Sequence, residues 1–251
     1  MTLPVMQTPV LATDTWRDWG VTRRVVESRP DGSLPFWELL SLPGDLYVIV
    51  AVLGLLALYD SIGAIKHDPP DAPLCPPETG ALIAIVFGGL ALITGLEALL
   101  AQPRPPAAWQ AIAVSPYSLP SGHVMAATIT WGAIMWLYRP LIHTRWRQLL
   151  VVTVLVGLTA LSRLFLGVHY LPDVLIGVGF GIAYLWLVSF GLHKSPRHAF
   201  VVALGIGIVA VVIATNSRAL LAVSGTLGAA IGWIVIEQPV VRRTVRGLLR
   251  R

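Results

Sequence analysis

Seven apolar runs dominate this chain, and they leave its backbone little choice. They lie near residues 46–65, 80–101, 122–138, 148–166, 173–192, 199–214 and 219–236. Each is about 16 to 22 residues long, and a bilayer core takes about 20 helical residues. Lipid offers no partner to an open amide, so such runs must satisfy their own hydrogen bonds as helices. Only 12% of the 251 residues are charged, about half the share of a soluble domain, and 55% are hydrophobic. The expected fold is therefore all-α: a polytopic membrane helical bundle of about seven transmembrane helices.

Turn residues divide the runs. Thr215-Asn216-Ser217-Arg218 separates the last two, which should form a helical hairpin. Pro69, Pro70, Pro73, Pro76 and Pro77 mark the first loop, and Pro103, Pro105 and Pro106 end the second span. Glycines four apart, Gly177/Gly181 and Gly228/Gly232, permit close helix contact. Residues 1–41 form an N-terminal arm, either an interfacial amphipathic segment or loosely ordered. Trp16 and Trp19 within it are spaced as on one helical face. Residues 42–238 read as a single transmembrane domain, and 239–251 as a basic tail lying against anionic lipid.

The net charge of +5 does not point to nucleic acid, because the arginines sit between spans and at the C-terminus. Seven spans sort the loops into two sets. The set with the C-terminal tail carries eleven lysines and arginines, and the other seven. The positive-inside rule makes the first set cytoplasmic. One cysteine, Cys75, excludes an intramolecular disulfide and any cysteine-only metal site. His67, Asp68 and Asp71 lie among prolines on the cytoplasmic side and read as a plain loop; His143, His193 and His198 read as interfacial anchors. No metal or cofactor is expected.

Three polar words remain, all on the outer side: Arg104-Pro105; Pro120-Ser121-Gly122-His123; and Ser162-Arg163, followed by His169 and Asp173. Ionisable groups at span ends are costly and usually functional. Arg104 and Arg163 offer forked donors that match phosphate oxygens. Ser121 can donate its hydroxyl, and Gly122 lets the backbone approach closely at a helix N-terminus suited to an anion. His123 can protonate a leaving oxygen. His169 can attack phosphorus through a ring nitrogen. Asp173, one helical turn on, can hold the other ring nitrogen.

These words resemble the three signature motifs of the type 2 phosphatidic acid phosphatase superfamily, which includes membrane lipid phosphate phosphatases and soluble vanadium haloperoxidases. The resemblance is anchored over residues 97–173. It implies a six-helix core with the seventh span an addition. It also implies His169 as nucleophile, Asp173 as its partner, and His123 as general acid and then base. Arg104, Ser121, Gly122 and Arg163 would bind the phosphoryl group, without a metal.

The first motif departs from the pattern. Glu97 stands seven residues before Arg104, with six residues between, at the place where the family has a lysine. It either turns away, pairs with Arg104, or stands protonated beside the substrate; otherwise the site is weakened or adapted to another headgroup. The expected function is a multi-pass membrane phosphatase acting at the extracytoplasmic face on a lipid phosphate or polyprenyl pyrophosphate. The alternatives are a phosphotransferase using the same site, and a catalytically weakened lipid-phosphate-binding protein.

Overall fold

A computed structural model of the chain describes residues 16–69, 72–138, 144–191 and 195–249. Residues 1–15 of the N-terminal arm, Asp71, Arg139, His143, His193, Lys194, Arg250 and Arg251 lie outside the described residues.

Helices α1 (Val21–Glu27) and α2 (Leu34–Ser41) lead through a 3-10 turn, Leu42–Gly44, into α3 (Leu46–His67). Then follow α4 (Pro77–Leu100), α5 (Gly122–Leu137), α6 (Arg145–Phe165), α7 (Leu171–Ser189), α8 (Pro196–Ala214), α9 (Ser217–Ile236) and α10 (Pro239–Leu249). Six of these helices are long and apolar enough to cross a membrane. The expected third span, α5, has 16 residues and rises about 24 Å, short of a bilayer core of about 30 Å. It is enclosed by its neighbours, with ten of its residues buried.

Local chemistry explains the boundaries. Asp45 caps α3 by accepting from the amides of Tyr47 and Val48, and Asn216 caps α9 by accepting from Ala219. Prolines open α4, α8 and α10, where the missing N–H costs nothing. Ala101 and Thr215 take left-handed conformations, φ 46° and 42°, and end α4 and α8.

Helix α4 is the centre of the bundle and packs on α5, α8 and α9. Its Leu82, Ile85, Val86 and Ile93 join Met125 and Ile129 of α5 and Tyr184 of α7 in one buried cluster. Large apolar side chains such as Leu55, Val212 and Leu221 point outward from the perimeter helices. Water would penalise so much exposed apolar surface, and lipid does not. Together with the six long apolar helices, this marks a multi-pass membrane protein. A Cβ on Gly181 would come 2.8 Å from Thr128, and one on Gly177 3.0 Å from the Ser121 carbonyl oxygen, so this pair brings α7 close against α5. Gly228 and Gly232 face open space and hold no such contact.

The described part of the arm is packed. Trp37 of α2 stacks on Phe165 of α6 with ring centroids 3.7 Å apart, and Arg29 donates to the Phe165 carbonyl at 2.8 Å. Trp16 and Trp19 do not share a helical face. They lie in a turn before α1, both half-exposed, with the Trp19 indole N–H donating to the Trp16 carbonyl.

Candidate active site

The polar words meet at one end of the bundle. Arg104 follows the C-terminus of α4, Ser121-Gly122-His123 opens α5, Arg163 lies in the last turn of α6, His169 occupies the turn before α7, and Asp173 is in the first turn of α7. The up-and-down order of the helices, with the long connection between α4 and α5 crossing this end, brings them there. The junction is tight: the Ser121 amide donates to the Asp173 carbonyl at 3.0 Å, tying the start of α5 to the start of α7.

His169 is buried, and its two nitrogens have different partners. Arg104 Nη1 lies 3.1 Å from Nε2. A guanidinium can only donate, so Nε2 carries the lone pair and the ring proton sits on Nδ1. Nδ1 lies 2.8 Å from the Ser118 carbonyl, which accepts that proton. Asp173 is on the Nδ1 side, as its spacing implies, but its Oδ2 is 3.7 Å away, beyond a direct hydrogen bond. Burial pushes the His169 ring down to about 4; Asp173 pulls it up, and Arg104 and Arg163 push it further down. The ring is therefore neutral at physiological pH, with its free lone pair beside a cation.

Arg104 is held firmly. Its Nε donates to the Ser115 carbonyl, Nη2 to the Ser115 hydroxyl at 3.0 Å, and Nη1 to the Val168 carbonyl at 2.8 Å. Burial lowers its pKa to about 10, which leaves it charged. Arg163 differs. It is 2% exposed, and its Nε has no hydrogen-bond partner among the described residues. The buried hydroxyl of Ser121 also lacks one. Ser121 precedes α5 without capping it, so the first-turn amides at Gly122 and His123 keep no side-chain acceptor. Buried polar groups left open are costly. Here an arginine, a hydroxyl and a helix N-terminus are all open at one place, and one bound oxyanion would satisfy them together.

Asp173 is fully buried within a set of donors. Arg17 Nη1 bonds Oδ1 at 2.8 Å, the Tyr170 amide bonds Oδ2 at 2.9 Å, and the Ser118 hydroxyl also donates to Oδ2. Arg17, itself fully buried, donates in addition to the Pro103 carbonyl at 2.8 Å. Sequence reasoning missed Arg17 and Ser118. Ser118 lies only three residues before Ser121, a signal of proximity alone; Arg17 carries none, being 156 residues from its partner.

Glu97 neither turns away nor pairs with Arg104. Its Oε2 lies 3.3 Å from Nη1 of Arg218, from the first turn of α9. Its Oε1 would come 2.8 Å from a Cβ on Gly122, so the carboxylate presses on the start of α5.

Comparison with known proteins agrees with this arrangement. Residues 78–197 match the model of the PAP2 superfamily. Phosphatidylglycerophosphatase B of Bacillus subtilis (strain 168) is 31% identical over 123 residues, 47% of this chain and 60% of that protein. The chain thus spans about three-fifths of that relative's length. The crystal structure of a transmembrane PAP2-type phosphatidylglycerolphosphate phosphatase from Bacillus subtilis superposes with a TM-score of 0.56 at 22% identity. That match covers 68% of this chain and 81% of the other, and shows a shared fold. The matched segment, 120 of the 251 residues, carries all three polar words with their spacing, and over that segment the chain is similar to the PAP2 superfamily.

Proposed function

We propose that this chain hydrolyses a lipid phosphate or polyprenyl pyrophosphate through a phosphohistidine at His169, without a metal. The observation that carries the reading is the pair of open donors, Ser121 Oγ and Arg163 Nε, beside a histidine whose Nε2 lone pair is fixed by Arg104. Three phosphoryl oxygens would take donors from Arg104, Arg163, Ser121 and the α5 amides. These donors also stabilise the charge that spreads over the oxygens in the transition state.

In the first step Nε2 of His169 bonds phosphorus as the bond to the leaving oxygen breaks, and His123 gives that oxygen a proton. The imidazolium formed keeps its proton on Nδ1, donated to the Ser118 carbonyl, with the Asp173 carboxylate 3.7 Å away to offset the charge. In the second step His123 takes a proton from water as the water attacks phosphorus. The N–P bond breaks and inorganic phosphate leaves. The products are an alcohol, or a monophosphate where the substrate is a pyrophosphate. The relative's name makes phosphatidylglycerophosphate a candidate substrate. The charge asymmetry of the loops supports an extracytoplasmic site and a cytoplasmic C-terminus.

The test is phosphate release by the purified chain from phosphatidate, phosphatidylglycerophosphate and polyprenyl diphosphates, with EDTA present. His169→Ala should abolish release and the acid-labile, base-stable phosphoenzyme. Wild-type release by that variant, or strict dependence on an added metal, would overturn the mechanism.

A further inference from the structure

Glu97 poses a problem for an anion site. It is 8% exposed and touches the first residue of the helix whose N-terminus faces the phosphate position. An unanswered carboxylate there would repel phosphate. At about 4 Å such repulsion is large even in a protein-like dielectric.

The answering charge comes from outside the family-matched segment. Thr215 and Asn216 turn the chain between α8 and α9, and Arg218 follows in the first turn of α9. One nitrogen of its guanidinium meets Glu97 at 3.3 Å. Its remaining donors make no other hydrogen bond among the described residues, and its side chain is about half exposed. One carboxylate therefore separates Arg218 from the α5 N-terminus. Arg218 and Glu97 line a cavity of about 660 Å³ with Ser115, Tyr117, Asn216 and Ser217. Ser115 is also the residue that holds Arg104, so the cavity and the phosphate cradle share a wall. The field of Arg218 reaches Arg104, where it opposes that of Glu97.

The charges divide accordingly. Arg17 answers Asp173 and Arg218 answers Glu97, which leaves Arg104 and Arg163 without an ion-pair partner among the described residues. A guanidinium has five donors, and a single contact with Glu97 leaves the others available to an oxyanion.

We propose that Arg218 is a third phosphate-binding arginine of this site, anchored by Glu97 and reaching phosphate oxygens through the cavity the two residues line. The proposal rests on the phosphate-site reading above. Those oxygens belong either to the reacting phosphoryl group or to a second phosphate on the leaving group.

The test uses the full chain in detergent and two probes, inorganic phosphate and pyrophosphate. Binding is read as thermal protection and as inhibition of turnover. Arg218→Ala should raise the Kd for at least one probe about tenfold or more. Arg218→Lys, which keeps the charge, should stay within about threefold of wild type. An equal loss for both probes assigns Arg218 to the reacting phosphate, and a loss confined to pyrophosphate assigns it to a second one. Replacing Glu97 by Gln in the Arg218→Ala background should recover binding only in part, because the uncompensated carboxylate is gone but the lost donors are not replaced; full recovery would reduce Arg218 to a counter-charge for Glu97 and overturn the proposal. Either of two other results would also overturn it: Arg218→Ala within twofold of wild type for both probes, or Arg218→Lys as weak as Arg218→Ala. A wild-type chain that binds both anions yet hydrolyses no lipid phosphate defeats the phosphatase reading instead and leaves the Arg218 comparison readable.

Discussion

Replacing Arg17 by methionine tests how far the site depends on a residue remote in sequence. Arg17 Nη1 and Asp173 Oδ1 are 2.8 Å apart, and both side chains are fully buried. Removing one partner of such a pair typically costs about 3–5 kcal/mol, because the other charge stays buried without compensation. Asp173 keeps the Tyr170 amide and the Ser118 hydroxyl, so the expected cost lies at the lower end, about 3 kcal/mol. Part of that loss should appear in the chemistry. Asp173 and Ser118 flank Nδ1 of His169 and, in the proposed mechanism, would stabilise the imidazolium formed when Nε2 is phosphorylated. A misplaced Asp173 should lower kcat by about 10- to 100-fold, or about 1.4–2.7 kcal/mol of transition-state stabilisation. KM should change little, since Arg17 does not face the phosphate cradle. Arg17→Lys should fall between, keeping the charge and losing the fork that also reaches the Pro103 carbonyl. The assay is steady-state phosphate release in detergent, with thermal unfolding measured on the same preparations. A purely structural Arg17 would lower the melting temperature and leave the kcat of the folded fraction intact. That outcome, or no change in either quantity, would refute the reasoning.

Two further outcomes follow from the same geometry. Arg163 is a buried cation with an open Nε, so Arg163→Met should raise the melting temperature, by about 1 kcal/mol of added stability, while kcat/KM falls about 100-fold or more; a variant that loses both stability and activity would show that Arg163 holds the fold. His169 is held down to about 4, against about 6.5 when unfolded. Between those values the unfolded chain binds a proton that the folded ring refuses, so this contribution is intact above about pH 6.5 and is lost as pH falls toward 4, by roughly 3 kcal/mol. Thermal unfolding of the wild type and His169→Asn across that window checks it, and identical pH slopes would sink the assignment.

The helices were legible in the sequence because a lipid solvent leaves one way to satisfy a backbone, and the spacing of apolar runs states it directly. The meeting of Arg104, Ser121, Arg163, His169 and Asp173 was legible too, since all lie at helix ends of the same parity. What could not be read is pairing between elements far apart in the chain. Arg17 lies among tryptophans that suggest an interfacial segment, and nothing local marks it as the partner of Asp173. Glu97 was visible as an anomaly, but its partner depends on how the α8–α9 turn leans over α4. Helical spacing pointed toward Arg104, which the Ser115 and Val168 oxygens already hold. The Gly228/Gly232 pair shows the same limit: spacing permits close contact, and only packing decides whether a neighbour is there.

The separation between Arg17 and Asp173 also has a meaning in time. At about 5–20 residues per second, the ribosome adds the intervening 156 residues in roughly 8 to 30 s. Through that interval the arm has no carboxylate to bind, and the histidine turn does not yet exist. The site can close only after α7 has entered the membrane and the first part of the chain has folded back over it. A nascent chain stalled among its early spans would therefore carry no competent phosphatase. On the proposed function, completion of insertion and onset of activity would then be a single event, timed by one ion pair that joins the N-terminal arm to α7.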